Sequence, residues 1–445
     1  MVTFNNELET ARRSILNWSE IDVLEKVTIV RDVFGKLSFL FDSTSFPDEQ
    51  QRNDLELLLS RNLQGYYSGN TYWEKMPSKD KKYLVPVLDL MKEESSEWYT
   101  EHGIKFYLSE RPIAKKAWVS RKTDIDAVWP YEDALRRDKP RVITFYSFKG
   151  GMGRTTALAG TALQLARKGK NVMMIDMDIE APGLATLFFE EERIQNGVLD
   201  YLLEHPLSVQ SDIADYVLDV TDSSLLEEND GSLFIIPAGK VDENYLQKLA
   251  RIDYQDHREG ALRTSLGTML EELRSRFAVD YILIDARAGF HDMGGIAVAQ
   301  LPHGAVLFGN SSRQSWDGIT QVIRTIAESH SENIPIVIAD CMCENSTSPS
   351  FLQAKDHFIQ KAYTVCIENY YTENDMIPGI NAENVAHSPV FLPYDASLRQ
   401  DITLYSTGSA EEDARVRAFT ERLTSDVYKV IVDRIQSWFG EGDIV

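Results

Sequence analysis

The stretch Ser147-Phe148-Lys149-Gly150-Gly151-Met152-Gly153-Arg154-Thr155-Thr156 lies between an apolar, β-rich run at residues 141–147 and a segment with helical periodicity at residues 156–168. Glycines allow successive backbone N–H groups to turn toward one anion, and the N-terminal end of the following helix adds positive potential. The stretch therefore predicts a phosphate-binding loop between a strand and a helix. Thr155 is placed to ligate Mg²⁺ through its hydroxyl group.

Further apolar runs follow this loop along the chain, and helical stretches separate them. Each run is short, rich in β-branched residues and nearly continuous, which is typical of strands that are buried on both faces of a sheet. The alternation predicts an α/β fold with a mostly parallel sheet flanked by helices. The runs are residues 171–175, 233–236, 281–284, 305–308 and 334–338.

Acidic residues stand directly after two of these predicted strands. Asp176 and Asp178 follow the run at 171–175, and Asp285 follows Tyr281-Ile282-Leu283-Ile284. Ligands of open α/β sheets bind at the carboxyl ends of the strands, and an apolar run that ends in Asp is typical of a carboxylate that holds Mg²⁺ directly or through water. We therefore predict a metal site that includes Thr155 and Asp285.

The glycine-rich loop resembles the deviant phosphate loop (P-loop) of the ParA/MinD family of ATPases, in which an extra lysine precedes two glycines. Lys149 matches that lysine, whereas Arg154 replaces the usual P-loop lysine and Phe148 the usual first glycine. The resemblance implies that Lys149 reaches the phosphates of a partner subunit in a nucleotide-sandwich dimer. It also implies that Asp178 orients or activates the attacking water and that Asp176 helps to order the metal site with Thr155 and Asp285. Arg154 keeps the positive charge as a planar fork, so both a bidentate phosphate grip and slowed or lost hydrolysis are open.

Other motifs refine this resemblance. Arg287, together with Arg154 and Glu180-Ala181-Pro182-Gly183-Leu184, is similar to the KGGVGR-motif variant branch, which is associated with bacterial conflict and defence systems. Arg287 is expected either to sense phosphate or to pair with a surface carboxylate. Pro393-Tyr394-Asp395 resembles the segment that cradles the base. The predicted nucleotide-binding residues are Gly150, Gly151, Met152, Gly153, Arg154, Thr155, Thr156, Pro393 and Asp395, with Lys149, Asp178 and Arg154 as the catalytic set.

The identity of the base is predicted from two features. Family members often carry an Asn after the strand at 334–338, whereas this chain has Ala339-Asp340. A carboxylate accepts hydrogen bonds from the amino group of adenine and also from the N1 and N2 edge of guanine. The chain has no Asn-Lys-x-Asp guanine motif, so ATP is favoured, with Mg²⁺ as the metal.

Residues 1–139 contain none of the phosphate or metal motifs. Loosely helical spacing of apolar residues predicts a mainly helical N-terminal partner or assembly domain with a linker, and residues 140–445 are the predicted ATPase domain. Residues 1–140 carry 24 acidic and 21 basic side chains, and the remaining residues carry 45 acidic and 25 basic ones. Because nonspecific nucleic-acid binding needs a cationic face, this charge disfavours nucleic acid as a partner of the ATPase domain.

No run of 18 apolar residues and no signal-peptide pattern occurs in the chain, so a cytoplasmic protein without a membrane span is expected. One amphipathic helix, at residues 411–439, carries acidic as well as basic residues on its polar face, and it is expected to pack on the sheet. The leading hypothesis is a slow, Mg²⁺-dependent ATPase that forms a homodimer with ATP and controls a partner protein encoded nearby. The alternative is a nucleotide-sensing regulatory module that does not hydrolyse ATP.

Overall fold

The computed structural model describes residues 2–92, 95–112, 114–119, 140–207, 212–222, 224–226, 230–252, 261–329, 333–344, 349–373, 375–406 and 408–440. The chain forms two compact units, Met1–Ala114 and Lys115–Val445. The predicted domain boundary at 139/140 adjoins residues 120–139, which lie outside the described residues. The two units divide earlier, because Lys115–Val119 packs within the second unit.

The first unit contains a five-stranded sheet, which corrects the prediction of a mainly helical N-terminal domain. The strands are β1 (Leu24–Arg31), β2 (Leu37–Ser43), β3 (Tyr67–Trp73), β4 (Ser96–Glu101) and β5 (Ile104–Glu110), and the helices are α1 (Glu7–Leu16), α2 (Glu49–Leu63) and α3 (Ser78–Lys92). The strand order is β3-β2-β1-β5-β4, in which β1 pairs antiparallel with β2 and parallel with β5.

The prediction failed in β1 because that strand does not alternate between buried and exposed residues. Val27, Thr28 and Ile29 are all buried, so both faces of the strand are covered at its centre. A strand of this kind lacks the period of two that marks a half-buried strand. The three-residue spacing of Val27 and Val30 was therefore compatible with a helix.

The second unit contains an eight-stranded sheet, which confirms the predicted α/β fold class. The strand order is β13-β12-β11-β6-β10-β7-β9-β8, and every pair is parallel except β8 with β9. The strands are β6 (Arg141–Ser147), β7 (Val172–Asp176), β8 (Leu218–Asp219), β9 (Leu233–Ile236), β10 (Tyr281–Asp285), β11 (Gly304–Gly309), β12 (Ile336–Cys343) and β13 (Val390–Pro393).

Helices pack on both faces of this sheet, and two separate apolar clusters fill the space between sheet and helices. The helices are α4 (Lys116–Val119), α5 (Arg154–Arg167), α6 (Val198–Glu204), α7 (Tyr245–Leu249), α8 (Ala261–Phe277), α9 (Asp292–Ala299), α10 (Arg313–Ser329), α11 (Pro349–Asn369), α12 (Ala410–Leu423) and α13 (Asp426–Trp438).

The C-terminal residues form α12 and α13 instead of the one helix predicted at 411–439. The break falls at Thr424 and Ser425, because Ser425 is the N-cap residue of α13. The expected packing is found: Ile431 and Ile435 are fully buried in a cluster with residues of the sheet and α5. Gly160 of α5 permits this approach, because a Cβ there would lie 2.7 Å from the carbonyl oxygen of Leu423. Among the described residues, no helix has the length and apolar character needed to span a membrane.

Candidate functional site

The glycine-rich loop connects β6 to α5 at the carboxyl end of the sheet. Gly151 and Gly153 have φ values of 74° and 76°, a left-handed conformation that glycine adopts without strain. Within the part of the chain that the structure describes, and apart from each glycine's own chain neighbours, no atom lies within 4 Å of an ideal Cβ at Gly150, Gly151 or Gly153, so the loop borders open space there. Gly153 is the N-cap residue of α5 and supplies no capping side chain, so first-turn N–H groups are left to another acceptor. This arrangement suits a phosphate group.

Thr155 and Asp285 meet beside this loop, as the prediction of a shared metal site requires. The Thr155 hydroxyl donates to Oδ2 of Asp285 at 2.6 Å, and Asp285 is 1% exposed. Parallel pairing of β10 with β7 places Asp285 beside Asp176, which is also 1% exposed. The sequence order of loop, aspartate pair and later aspartate therefore becomes one cluster at the edge of the sheet.

The carboxylate of Asp176 also organises the segment that follows β7. It accepts hydrogen bonds from the backbone N–H groups of Asp178, Gly183 and Leu184, at 3.0, 3.1 and 3.0 Å. Burial, together with the charge of Asp285, raises the pKa of Asp176 to about 7, although the hydrogen bonds from Leu184 and Gly183 oppose this effect. Burial likewise raises the pKa of Asp285, although the charge of Arg154 opposes this effect.

Arg154 bridges two of the predicted functional carboxylates. Its Nε donates to Asp285, and its Nη2 lies 3.1 Å from Oδ2 of Asp178. The arginine side chain is only 9% exposed. Burial alone would lower the pKa of Arg154, but the charges of Asp285 and Asp178 outweigh burial and raise it. The replacement of lysine by arginine thus has a structural counterpart, because one planar group contacts two carboxylates at once.

Arg287 completes the ion-pair cluster from the loop after β10. Its Nη1 lies 2.8 Å from Oδ1 of Asp178, and its Nη2 lies 3.2 Å from Glu180. The prediction that Arg287 pairs with a surface carboxylate therefore applies to Glu180 but not to Asp178, because Asp178 is only 8% exposed. The sequence did not predict that Asp178, the candidate water-orienting residue, would lie between two arginines.

The residues present fit a magnesium ion by their chemistry. The hydroxyl of Thr155 and the carboxylates of Asp285 and Asp176 are hard oxygen donors of the kind that Mg²⁺ prefers. Within the described residues, no group of three or more His, Cys, Asp and Glu side chains is arranged to hold a metal. The fit therefore depends on the contact between Thr155 and Asp285, with Asp176 beside it.

A cavity of about 300 Å³ adjoins the glycine-rich loop, at the lower end of the size range of ligand pockets. The predicted Pro393 and Asp395 line it together with the loop, as the base-cradle hypothesis requires. Asp395 stabilises the segment in which it lies. Its carboxylate accepts a hydrogen bond from the backbone N–H of Ser397 at 2.9 Å and pairs with Arg422 at 3.1 Å. The lining residues are Gly151, Met152, Gly153, Thr156, Cys341, Met342, Leu392, Pro393, Tyr394, Asp395, Leu398, Arg399 and Tyr428.

Lys149 and Asp340 lie beside a neighbouring cavity of about 400 Å³, which shares Cys341 and Met342 with the first one. Asp340 lines this cavity and is 7% exposed, and burial raises its pKa to about 6. Lys149 Nζ donates to the hydroxyl of Ser312, another lining residue, at 3.1 Å. The sequence did not predict Ser312 as a partner of Lys149.

Similarity to known proteins agrees with this fold and site. Residues 140–338 match a family model described as an AAA domain. These residues include the glycine-rich loop and the three aspartates. The class that the fold and the glycine-rich loop define is thus a P-loop domain.

Individual relatives point to the ParA/MinD type. The chain is 30% identical over 150 residues to an uncharacterised ATP-binding protein of Methanocaldococcus jannaschii, which is 34% of this chain and 46% of that protein. It is 29% identical over 148 residues to the septum site-determining protein MinD of Helicobacter pylori, which is 33% of this chain and 45% of MinD. The chain thus spans about half the length of the curated relatives that it matches. These similarities support the resemblance to ParA/MinD-like P-loop ATPases.

The fold also resembles the solved structure of pNOB8 ParA, with a TM-score of 0.46 and 17% sequence identity. That similarity covers 67% of this chain and 99% of the other chain.

Proposed function

We propose that this chain is a nucleotide-dependent switch that binds ATP with Mg²⁺, hydrolyses it slowly, dimerises in the ATP-bound state and controls a partner protein. The observation that carries the proposal is the contact between Thr155 and Asp285 directly beside the glycine-rich loop. The loop N–H groups and the N-terminal end of α5 would bind the phosphates. Thr155 and Asp285 would hold Mg²⁺, which supplies charge neutralisation at the phosphates when bound.

The arginine cluster explains why hydrolysis should be slow. Asp178 can orient a water molecule only through an oxygen that is available to that water. In this structure Arg154 contacts one of its oxygens and Arg287 the other. Phosphate is a strong competing acceptor for a guanidinium group, so ATP binding should draw Arg154 away from Asp178. Each turnover would then require this rearrangement.

The same cluster supports the alternative of a sensor that binds ATP without hydrolysing it. If Arg154 and Arg287 keep both oxygens of Asp178 engaged in the bound state, no carboxylate oxygen is left for water. Steady-state hydrolysis of ATP and of GTP, with molecular mass measured under each nucleotide, separates the two functions. Binding with dimerisation but without phosphate release would select the sensor, and phosphate release that is abolished by Asp178→Ala would select the ATPase.

The binding proposal is tested by Thr155→Ala. This change removes one predicted Mg²⁺ ligand, so the extra ATP affinity that Mg²⁺ confers should be reduced. Thr364→Ala is the matched control, because Thr364 is an exposed residue of α11 whose hydroxyl donates to the backbone oxygen of Gln360. Calorimetric titration with and without Mg²⁺ gives the readout. Equal Mg²⁺ dependence in the Thr155→Ala variant and in wild type would rule out this metal assignment.

The proposed partner follows from the resemblance to the KGGVGR-motif variant branch. That branch is associated with bacterial conflict and defence systems, so we propose a partner protein encoded nearby and a role in antiviral defence. Co-purification of the neighbouring gene products with the full-length chain, with and without ATP, tests this role. A nucleotide-dependent complex would support it, and the absence of any complex in either state would contradict it.

A further inference from the structure

The segment Lys115–Val119, which includes α4, is held against the loop that follows Asp285. Trp118 is 7% exposed, and its indole Nε1 donates to the backbone oxygen of His291 at 2.6 Å. The backbone N–H and the Nζ of Lys115 lie 2.5 and 2.9 Å from the carboxylate of Asp292. We call Lys115–Val119 the clamp segment and residues 286–292 the clamped loop.

The close packing of Trp118 depends on a glycine. An ideal Cβ at Gly295 would lie 2.8 to 3.0 Å from three atoms of the indole ring. Real Cβ atoms are almost never this close to other heavy atoms, so a larger residue would displace the ring. Gly295 belongs to α9, which begins where the clamped loop ends. Helix, loop and clamp segment therefore fit one another closely.

Aromatic rings continue this contact to the phosphate loop. Trp118 packs edge-on against Phe290 with a centroid separation of 5.1 Å, and Phe290 packs on Phe148 at 4.9 Å. Phe148 directly precedes Lys149 and stands where P-loops usually have a glycine. Its ring in turn lies against Gly318 of α10, where a Cβ would clash at 2.1 Å. The unusual Phe148 thus has a structural role.

Polar contacts attach the same loop to the nucleotide site. Gly289, with φ of 77°, donates its N–H to the backbone oxygen of Ser147 at 3.3 Å and accepts from the hydroxyl of Tyr146 at 3.0 Å. Within the loop, Arg287 pairs with Asp178. Movement of either Arg287 or the phosphate loop is therefore resisted by the contacts of the clamp segment.

From this geometry we infer that Lys115 and Trp118 are positioning residues of the nucleotide site. They hold the clamped loop against the phosphate loop. A conformational change at the nucleotide site is transmitted to the clamp segment through the contacts that Phe290 and Asp292 make with it. The inference rests on the proposed ATP binding for its nucleotide-dependent part. Its nucleotide-free part, that the clamp segment holds the loop, does not depend on that function. The coupling follows because a ligand that favours one arrangement of the loop must change the equilibrium of everything bound to that loop.

The experiment measures amide hydrogen exchange of the full-length chain, with and without ATP and Mg²⁺, in wild type and in Trp118→Ala, Trp118→Phe and Lys115→Ala. In wild type, ATP should change exchange in both the clamped loop and the clamp segment. Trp118→Ala should speed up nucleotide-free exchange of the loop and weaken ATP binding by about three- to tenfold, the equivalent of one aromatic pair and part of a hydrogen bond. Trp118→Phe restores the ring and should recover part of both effects.

Val119→Ala is the control, because Val119 lies in the same helix but is 53% exposed. It should match wild type in exchange and in affinity. A folded Trp118→Ala variant with wild-type exchange in the loop would overturn the inference. If that variant fails to fold, Lys115→Ala provides the same test of exchange in the clamped loop. Its ion pair with Asp292 is partly exposed, so the loss of this contact should leave the protein folded. If wild type binds no ATP, the proposed function fails, and the clamp is then judged by nucleotide-free exchange alone.

Discussion

Replacing Arg154 by lysine should destabilise the nucleotide-free protein even though the charge is kept. The guanidinium contacts Asp285 through Nε and Asp178 through Nη2, and all three side chains are buried. A lysine ammonium is a compact charge that can satisfy one of these carboxylates but not both in this geometry. The loss is therefore about one charge-assisted hydrogen bond, or about 1.5–3 kcal/mol of unfolding free energy. Complete loss of the buried pair would cost more, about 3–5 kcal/mol.

The assay is urea unfolding of wild type and Arg154→Lys, first without nucleotide and then with ATP and Mg²⁺. Because a lysine is less firmly held by the carboxylates, the variant should gain more stability from ATP than wild type does. Arg324→Lys is the matched control, since Arg324 is an exposed residue of α10 and donates to the neutral side chain of Asn369 at 2.9 Å. That control should change stability by no more than about 0.5 kcal/mol. An Arg154→Lys protein as stable as this control would refute the bridging role of Arg154.

Three further predictions concern catalysis, pH and the first unit. Mixing Lys149→Ala with Asp178→Ala protein should restore ATP hydrolysis, because one composite site of a heterodimer keeps both groups; heterodimers without activity would exclude the role in trans. Burial raises the pKa of Asp340 from 3.8 to about 6, so the free energy of unfolding falls as pH rises between these two values. Wild type should therefore lose about 1–2 kcal/mol relative to Asp340→Asn as pH rises from about 4 to 6 in urea unfolding, after allowance for solvent screening, and parallel curves would contradict this. A chain that begins at Lys115 should be folded, as judged by circular dichroism, and should bind ATP, but it should lose its partner or its assembly. The same oligomeric state and the same partners as the full-length chain would argue against a docking role of the first unit.

The fold of the second unit was predictable because its strands are buried on both faces. Such strands appear as continuous apolar runs, and the strand–helix alternation then leaves few alternatives to a parallel sheet. The same reasoning placed Thr155 and Asp285 together, since both follow strands whose carboxyl ends share one edge. The first unit did not allow this, because β1 lacks alternation and its parallel partner β5 comes from a distant part of the sequence, although its other partner β2 follows it directly.

The ion-pair cluster could not be predicted, for a different reason. Arg154 and Asp285 are 131 residues apart, and no local pattern states which of several nearby carboxylates an arginine will contact. The same is true of Arg287 and Asp178, which are 109 residues apart. The sequence signals were the departures from the usual motif at Phe148 and Arg154 and the unusual Arg287, and each marks a residue with a specific partner in the structure. Deviations from a motif were thus as informative here as agreement with it.

The charges of the site connect nucleotide binding to the rearrangement of Arg154. The cluster contains the carboxylates of Asp176, Asp178, Glu180 and Asp285 and the guanidinium groups of Arg154 and Arg287. Because carboxylates outnumber guanidiniums, the cluster is acidic, and the neighbouring negative charge adds to burial in raising the pKa of Asp176 to about 7. A nucleoside triphosphate brings more negative charge than one Mg²⁺ neutralises, so its phosphates must draw on positive groups already present. Arg154 lies at the start of α5 beside the loop and is such a group. Its transfer from carboxylates to phosphate would leave Asp285 and Asp178 without that cation, and Mg²⁺ bound at Asp285 would then replace part of the lost charge. Nucleotide and metal should therefore bind cooperatively, each weakening the repulsion that opposes the other.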